Sequence, residues 1–125
     1  MNEQEELIRN YIAAYNTFDV EGMTTGMASD VVFENIQKGK VTLRLEGIEA
    51  FRRQAEEAKA YFSKRTQRVN HITQKGEAYE VEIEYEGVLA IDLPNGPSKG
   101  QELRMNGKSI FRIENGEIVH LSDIS

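Results

Sequence analysis

Cysteine and tryptophan are both missing from the 125 residues, and proline occurs only twice. Without cysteine there is no disulfide, no thiolate nucleophile and no cysteine-held zinc. Histidine is nearly missing too. His71 and His120 stand far apart with no HxxxH spacing, so no metal is expected and no organic cofactor is implied. Neither a glycine-rich phosphate loop nor a GxSxG nucleophile elbow occurs. Positive charge is in deficit: 15 Lys and Arg against 21 Asp and Glu leave a formal charge of −6. That balance argues against a nucleic-acid partner, which needs a basic face. No apolar run approaches the roughly 20 residues of a bilayer span, so no membrane partner is expected. The opening Met1-Asn-Glu-Gln-Glu-Glu is acidic and lacks the basic region and apolar core of a secretion signal. The cytoplasm is the default expectation.

What remains is patterned as one α+β domain over residues 1–125. Leu7, Ile8, Tyr11, Ile12, Tyr15 and Phe18 recur at helical spacing and predict an amphipathic helix over Glu3–Phe18. A short second helix is expected over Glu21–Ala28. Asp30 then opens a strand, Val31–Ile36, followed by a loop, Gln37–Lys40, and a short strand, Val41–Glu46. Ile48, Phe51, Ala55, Ala58 and Phe62 mark a second long helix, Ile48–Phe62. Beyond it the period becomes two. Strands are expected over Arg65–Gln74, around Tyr79–Glu86, over Gln101–Ile113 and over Glu117–Ile124, with a turn-rich loop at Leu93–Gly100. The alternation of Tyr79, Val81, Ile83 and Tyr85 with four glutamates reads as a half-buried strand with a solvated acidic face. Arg104, Lys108 and Arg112 on the next strand would supply opposite charge.

The closing hairpin carries Asp123, and its register decides where that carboxylate points. A two-residue Asn115-Gly116 turn sets Lys108 opposite Asp123, a surface ion pair of about 0–1 kcal/mol with no chemistry. A three-residue loop with Gly116 in a bulge sets Phe111 opposite Val119 and Gly107 opposite Asp123. The second register sorts apolar from polar residues better, so Asp123 is expected to face inward beside Gly107.

Tyr11-Ile-Ala-Ala-Tyr-Asn-Thr-Phe-Asp19, Ser29-Asp-Val-Val-Phe-Glu-Asn35, Gly47-Ile-Glu-Ala-Phe51 and Asn115-Gly-Glu-Ile-Val119 resemble, in order and spacing, segments of the nuclear transport factor 2-like superfamily. The resemblance covers essentially the whole chain. It implies a cystatin-like cone, a curved antiparallel sheet wrapped around a long N-terminal helix, with a pocket between them and dimerisation through the sheet. Ketosteroid isomerase, limonene epoxide hydrolase, SnoaL-type polyketide cyclases and non-catalytic binding modules share it. Tyr11 matches the first-helix tyrosine of the isomerase, whereas Asn35 stands where its general base is and Ser109 where its second oxyanion-hole acid is. Asp123 matches an aspartate of the epoxide hydrolase, whose supporting arginine and second aspartate would fall near Glu86 and Val88. The acidic late-strand residue of the SnoaL-type cyclases also corresponds to Asp123.

Chemically, an aspartate in an apolar pocket has its pKa lifted towards values useful for proton transfer. The expectation is therefore a small-molecule cavity protein, an acid/base enzyme of cyclase, isomerase or hydratase type acting on an apolar oxygenated molecule. Asp123 and Tyr11 are its candidate catalytic residues. Tyr15, Asn35, Phe33, Ser109, Phe111, Leu121 and Met105 are its candidate ligand contacts. A non-catalytic ligand-binding module of the same fold would instead have a closed pocket or no inward carboxylate. A protein adaptor would expose a large apolar patch on the outer sheet face.

Overall fold

A computed structural model describes residues 2–94 and 96–125; Met1 and Asn95, the latter within the expected Leu93–Gly100 loop, lie outside the described residues. Helix α1, Glu3–Asn16, opens on Asn2, whose side chain accepts from the Glu5 amide at 2.7 Å, with Glu3, Glu5 and Glu6 at the positive end of the helix dipole. It stops two residues earlier than its apolar stripe suggests because Phe18 takes a left-handed φ of 60°. Asp19 then caps α2, Val20–Thr24, by accepting from the Gly22 amide. This helix is shorter than the expected Glu21–Ala28. The Ile118 amide donates to the Gly26 carbonyl at 2.8 Å, drawing the chain into strand β1, Met27–Gln37, four residues ahead of expectation.

Strand β2, Lys40–Glu46, precedes helix α3, Ile48–Lys59. Phe62, expected to end that helix, instead begins β3, Phe62–Lys75, pairing with Leu89 of β4, Ala78–Leu89. Strands β5, Glu102–Glu114, and β6, Glu117–Ile124, complete the chain. The six strands form one sheet in the order β2-β1-β6-β5-β4-β3, antiparallel except for β1 against β6. The helices lie on its concave side, α1 against β3 and α3 against β1. Ile8 and Ile12 of α1, Phe51 and Ala55 of α3, and Val31, Phe33, Val81, Phe111 and Leu121 of the sheet form the core. Each large side chain fully buried there contributes about 1.5–3 kcal/mol. Among the described residues no helix is long and apolar enough to cross a membrane.

The acidic row of β4 does face outward and meets cations, by a directly opposite pair with β3 (Arg68 and Glu84) but not with the β5 residues that stand directly opposite it. Glu80 bridges Lys75 at 3.2 Å and Lys108 at 3.1 Å, and Arg68 reaches Glu84 at 3.3 Å. Arg104 turns to Glu102 on its own strand, and Arg112 to Glu77.

The last hairpin adopts neither expected register. Asn115 and Gly116 have φ of 52° and 78°, a two-residue turn in which Glu114 pairs with Glu117. One pair later the register shifts. Ile113 faces Ile118 but Arg112 faces His120, leaving Val119 as an extra residue in β6. Beyond that bulge Phe111 faces Leu121 and Ser109 faces Asp123. The bulge has the effect expected of the three-residue loop: it sorts apolar from polar and turns Asp123 inward. Its partner, however, is Ser109, not Gly107. Gly107 lies against the end of β6, where an added Cβ would stand 2.7 Å from the Ile124 carbonyl oxygen.

Candidate functional site

Asp123 sits between two strands that each bring it a polar neighbour, Ser109 from β5 and Asn35 from β1. The Ser109 hydroxyl donates to Asp123 Oδ1 at 2.7 Å. The carboxyl lies deep in the concave face, and its residual accessibility is to the cavities it lines. Burial lifts its pKa from the ordinary 3.8 to about 6, against the opposing pull of the Ser109 hydrogen bond, which favours the charged form.

Two adjoining cavities meet at this group. The outer one, about 300 Å³, is walled by Phe62, Ile83, Gln67 and Tyr85, with Met105 at its rim. The inner one, about 140 Å³, runs between α1, α3 and β1 and is walled by Tyr11, Phe33, Phe51, Leu43 and Arg65. Tyr15, Asn35, Phe62 and Asp123 border both, so a ligand could occupy the two together. A larger groove of about 590 Å³ lies elsewhere, between α1, α2 and the β5–β6 turn. Its one carboxylate, Asp19, already caps α2, so it offers no comparable chemistry.

Of the residues singled out in the sequence, Tyr11, Tyr15, Phe33, Asn35, Ser109 and Asp123 are brought together here. Tyr11 is buried edge-on to Phe111, with ring centroids 5.6 Å apart. Burial, and then the Asp123 charge, raise its pKa well above the ordinary tyrosine value. Tyr15 donates to the Tyr85 hydroxyl at 3.4 Å, and burial first, then Tyr85, raise its pKa as well. Both phenols therefore stay protonated, but the Tyr15 proton is engaged by Tyr85, so within that pair the hydroxyl left to donate to a ligand is that of Tyr85. Neither is hydrogen-bonded to Asp123, whose side-chain partner is Ser109. Met105 is 47 % exposed and touches the outer cavity only at its mouth.

Phe111 and Leu121 are corrections. Expected at the ligand, both have no exposed surface and line neither cavity, because the Val119 bulge stacks them against each other in the core beneath the site. His71 is exposed, where the β3 register slips between Val69 and His71.

Four residues at the site escaped the sequence reading. Tyr85 carried a signal, because the alternation that turns Tyr79, Val81 and Ile83 inward turns Tyr85 inward too. Phe62 falls on the apolar stripe of the expected Ile48–Phe62 helix, which hides its place at the start of β3. Arg65 and Gln67 are polar residues on the concave face of β3, 4 % and 8 % exposed, which hydropathy sorting places outside. Arg65 Nε donates to the Tyr15 carbonyl at 2.9 Å, and its guanidinium lies 3.8 Å from the Tyr15 ring centre and 4.5 Å from that of Phe18. The α1 C-terminal turn has no cation of its own, and Arg65 supplies one from the sheet.

The fold has many solved relatives. A provisionally assigned polyketide cyclase from Xanthomonas campestris superposes with a TM-score of 0.83 at 21 % identity, covering 98 % of this chain and 90 % of that one. A nuclear transport factor 2-like protein of unknown function from Burkholderia pseudomallei gives 0.81 at 16 % identity, with the same coverage. A cystatin-fold protein from Novosphingobium aromaticivorans gives 0.76 at 19 %, covering 100 % of this chain and 99 % of that one. At these identities the likeness establishes the fold alone. No functionally curated protein matches by sequence. The SnoaL-like domain family, by contrast, matches residues 8–121, nearly the whole chain, and with a curved sheet closing over a carboxylate-bearing cavity this chain belongs to the SnoaL-like branch of the nuclear transport factor 2-like superfamily.

Proposed function

We propose that the protein is a cofactor-independent acid/base enzyme, of cyclase, isomerase or hydratase type, acting on an apolar oxygenated small molecule bound across the two cavities. The observation that carries this reading is the placement of Asp123 at their junction, held by Ser109 and with a pKa of about 6. A carboxylate poised near neutrality can accept a proton at pH 7 and return it. Asp123 takes a proton from a carbon beside a carbonyl, and the C–H electron pair moves into the new C=C bond as the carbonyl oxygen gains charge. The phenol of Tyr11, or of the Tyr15–Tyr85 pair, donates to that oxygen, and Asn35 orients the substrate. Returning the proton to another carbon gives isomerisation; attack of the enolate carbon on a second carbonyl gives ring closure, with the proton delivered to the new alkoxide. The reading includes a homodimer formed through the outer face of the sheet.

The test uses a simple ketone, α-tetralone, in D2O. Exchange of its α-protons, followed by NMR, should be faster with the wild type than with Asp123→Asn by about 10²–10⁴-fold. Equal exchange with both proteins sinks the assignment of Asp123 as the base. A purely binding role would leave the ketone's shifts perturbed but its protons unexchanged.

A further inference from the structure

Arg65 is a buried cation, and the acid/base reading makes no use of it. Only 4 % of its surface is exposed, and among the described residues no carboxylate forms an ion pair with it. Its polar contacts are few. Nε is taken by the Tyr15 carbonyl, and Nη2 meets only the Met23 sulfur at 4.0 Å, a weak acceptor. The rings of Tyr15 and Phe18 cover the guanidinium. These contacts explain how the cation is tolerated, but they leave the Nη edge with no oxygen acceptor among the described residues. Burying a charge without a partner is costly. Arg65 and Met23 both line the inner cavity.

Resting on the acid/base reading, we infer that the inner cavity receives a carboxylate of the substrate, with Arg65 as its counter-ion, so that the substrate is an apolar carboxylic acid. The planar fork of a guanidinium matches a carboxylate, and a single arginine balances a monoanion but not a phosphate dianion. Much of the remaining wall suits an apolar body, with Phe33, Leu43, Leu45, Phe51 and Ala55; Asn35 and Gln54 are polar, and Asp123 is an ionisable group of opposite sign. Asp123, bordering both cavities, then faces the carbon chain as it passes from the anchored end into the outer cavity. Arg65 thus sets specificity by charge while Asp123 moves the proton.

Benzoate and benzamide, nearly equal in shape, separate the charge from the ring. In NMR titrations of the wild type, benzoate should bind at least about tenfold tighter than benzamide. It should also shift the Arg65 Nε–H resonance, as benzamide should not. Arg65→Met should abolish the preference. Asp123→Asn should retain it, so that loss of proton exchange in that variant and loss of carboxylate recognition are read independently. Equal affinities in the wild type, no binding of benzoate at millimolar concentration, or a preference that survives Arg65→Met would each overturn the inference. Should Arg65→Met fail to fold, the wild-type affinity ratio and the Arg65 Nε–H shift decide.

Discussion

At Asp123 the same burial that would ready the acid for the proposed proton transfer costs stability, and its sign follows from the pKa shift. Its folded pKa of about 6 exceeds the ordinary 3.8, so the native state holds the proton more tightly than the unfolded chain. Below about pH 4 both states are protonated and the group costs nothing. As pH rises from about 4 to 6 the unfolded chain ionises first, and stability falls by roughly 3 kcal/mol, less whatever water in the cavity screens. Above that window the loss is constant. Urea unfolding at pH 4.5 and pH 8 should show this decline in the wild type and a smaller one in Asp123→Asn, which should be the more stable protein at pH 8. An unchanged pH dependence in the variant would mean that the carboxyl is not buried. Ser109→Ala should act in the opposite sense to solvation. Losing a hydrogen bond to the ionised form moves the Asp123 pKa further up, seen as an upward shift in the pH midpoint of ketone exchange.

Among the elements, two tightly surrounded glycines, Gly26 and Gly107, test different packings. A Cβ at Gly26 would stand 2.3 Å from Leu7 Cδ1, the tip of a side chain on α1 that can swing away. A Cβ at Gly107 would meet the Ile124 carbonyl, which is backbone and cannot swing. Gly107→Ala should therefore destabilise more than Gly26→Ala, by about 1–3 kcal/mol against less than about 1, in denaturant melts. It should also displace the end of β6 and with it Asp123. The same elements show what a sequence discloses. The stripes of α1 and α3 and the alternation of β4 depend on neighbours three, four or two residues away, so their types were legible. The β6 register was not. It is fixed from both sides, by β5 and by the parallel strand β1, and the Val119 bulge reconciles a two-residue turn with an inward Leu121 and Asp123. Polar sorting points Asp123 inward, as it is, but through a three-residue loop that does not form. Arg65 and Gln67 were illegible for a different reason. Hydropathy assigns polar residues outward, and a cavity lined by polar side chains on the concave face is where that rule fails.

For the whole molecule, the sheet divides two environments of opposite character. Its concave side holds the core and the cavities; its outer side carries ion pairs around half-buried apolar residues. Ile110 lies there between Glu80 and Ser122, and Val32 beside His120. Glu34 joins Arg44 at 2.9 Å and His120 at 3.1 Å next to them. An apolar centre ringed by satisfied charges is the anatomy of a protein interface, and the low cost of exposed ion pairs leaves the ring free to rearrange on contact. The net charge of −6 opposes association of two copies, so the proposed dimer should tighten with moderate salt if apolar contact holds it together. In sedimentation at micromolar concentration the wild type should run at twice the chain mass, and Ile110→Arg should run as a folded monomer. A monomeric wild type at all salt concentrations would remove the outer face as an interface. A dimer indifferent to Ile110→Arg would move the contact to another surface.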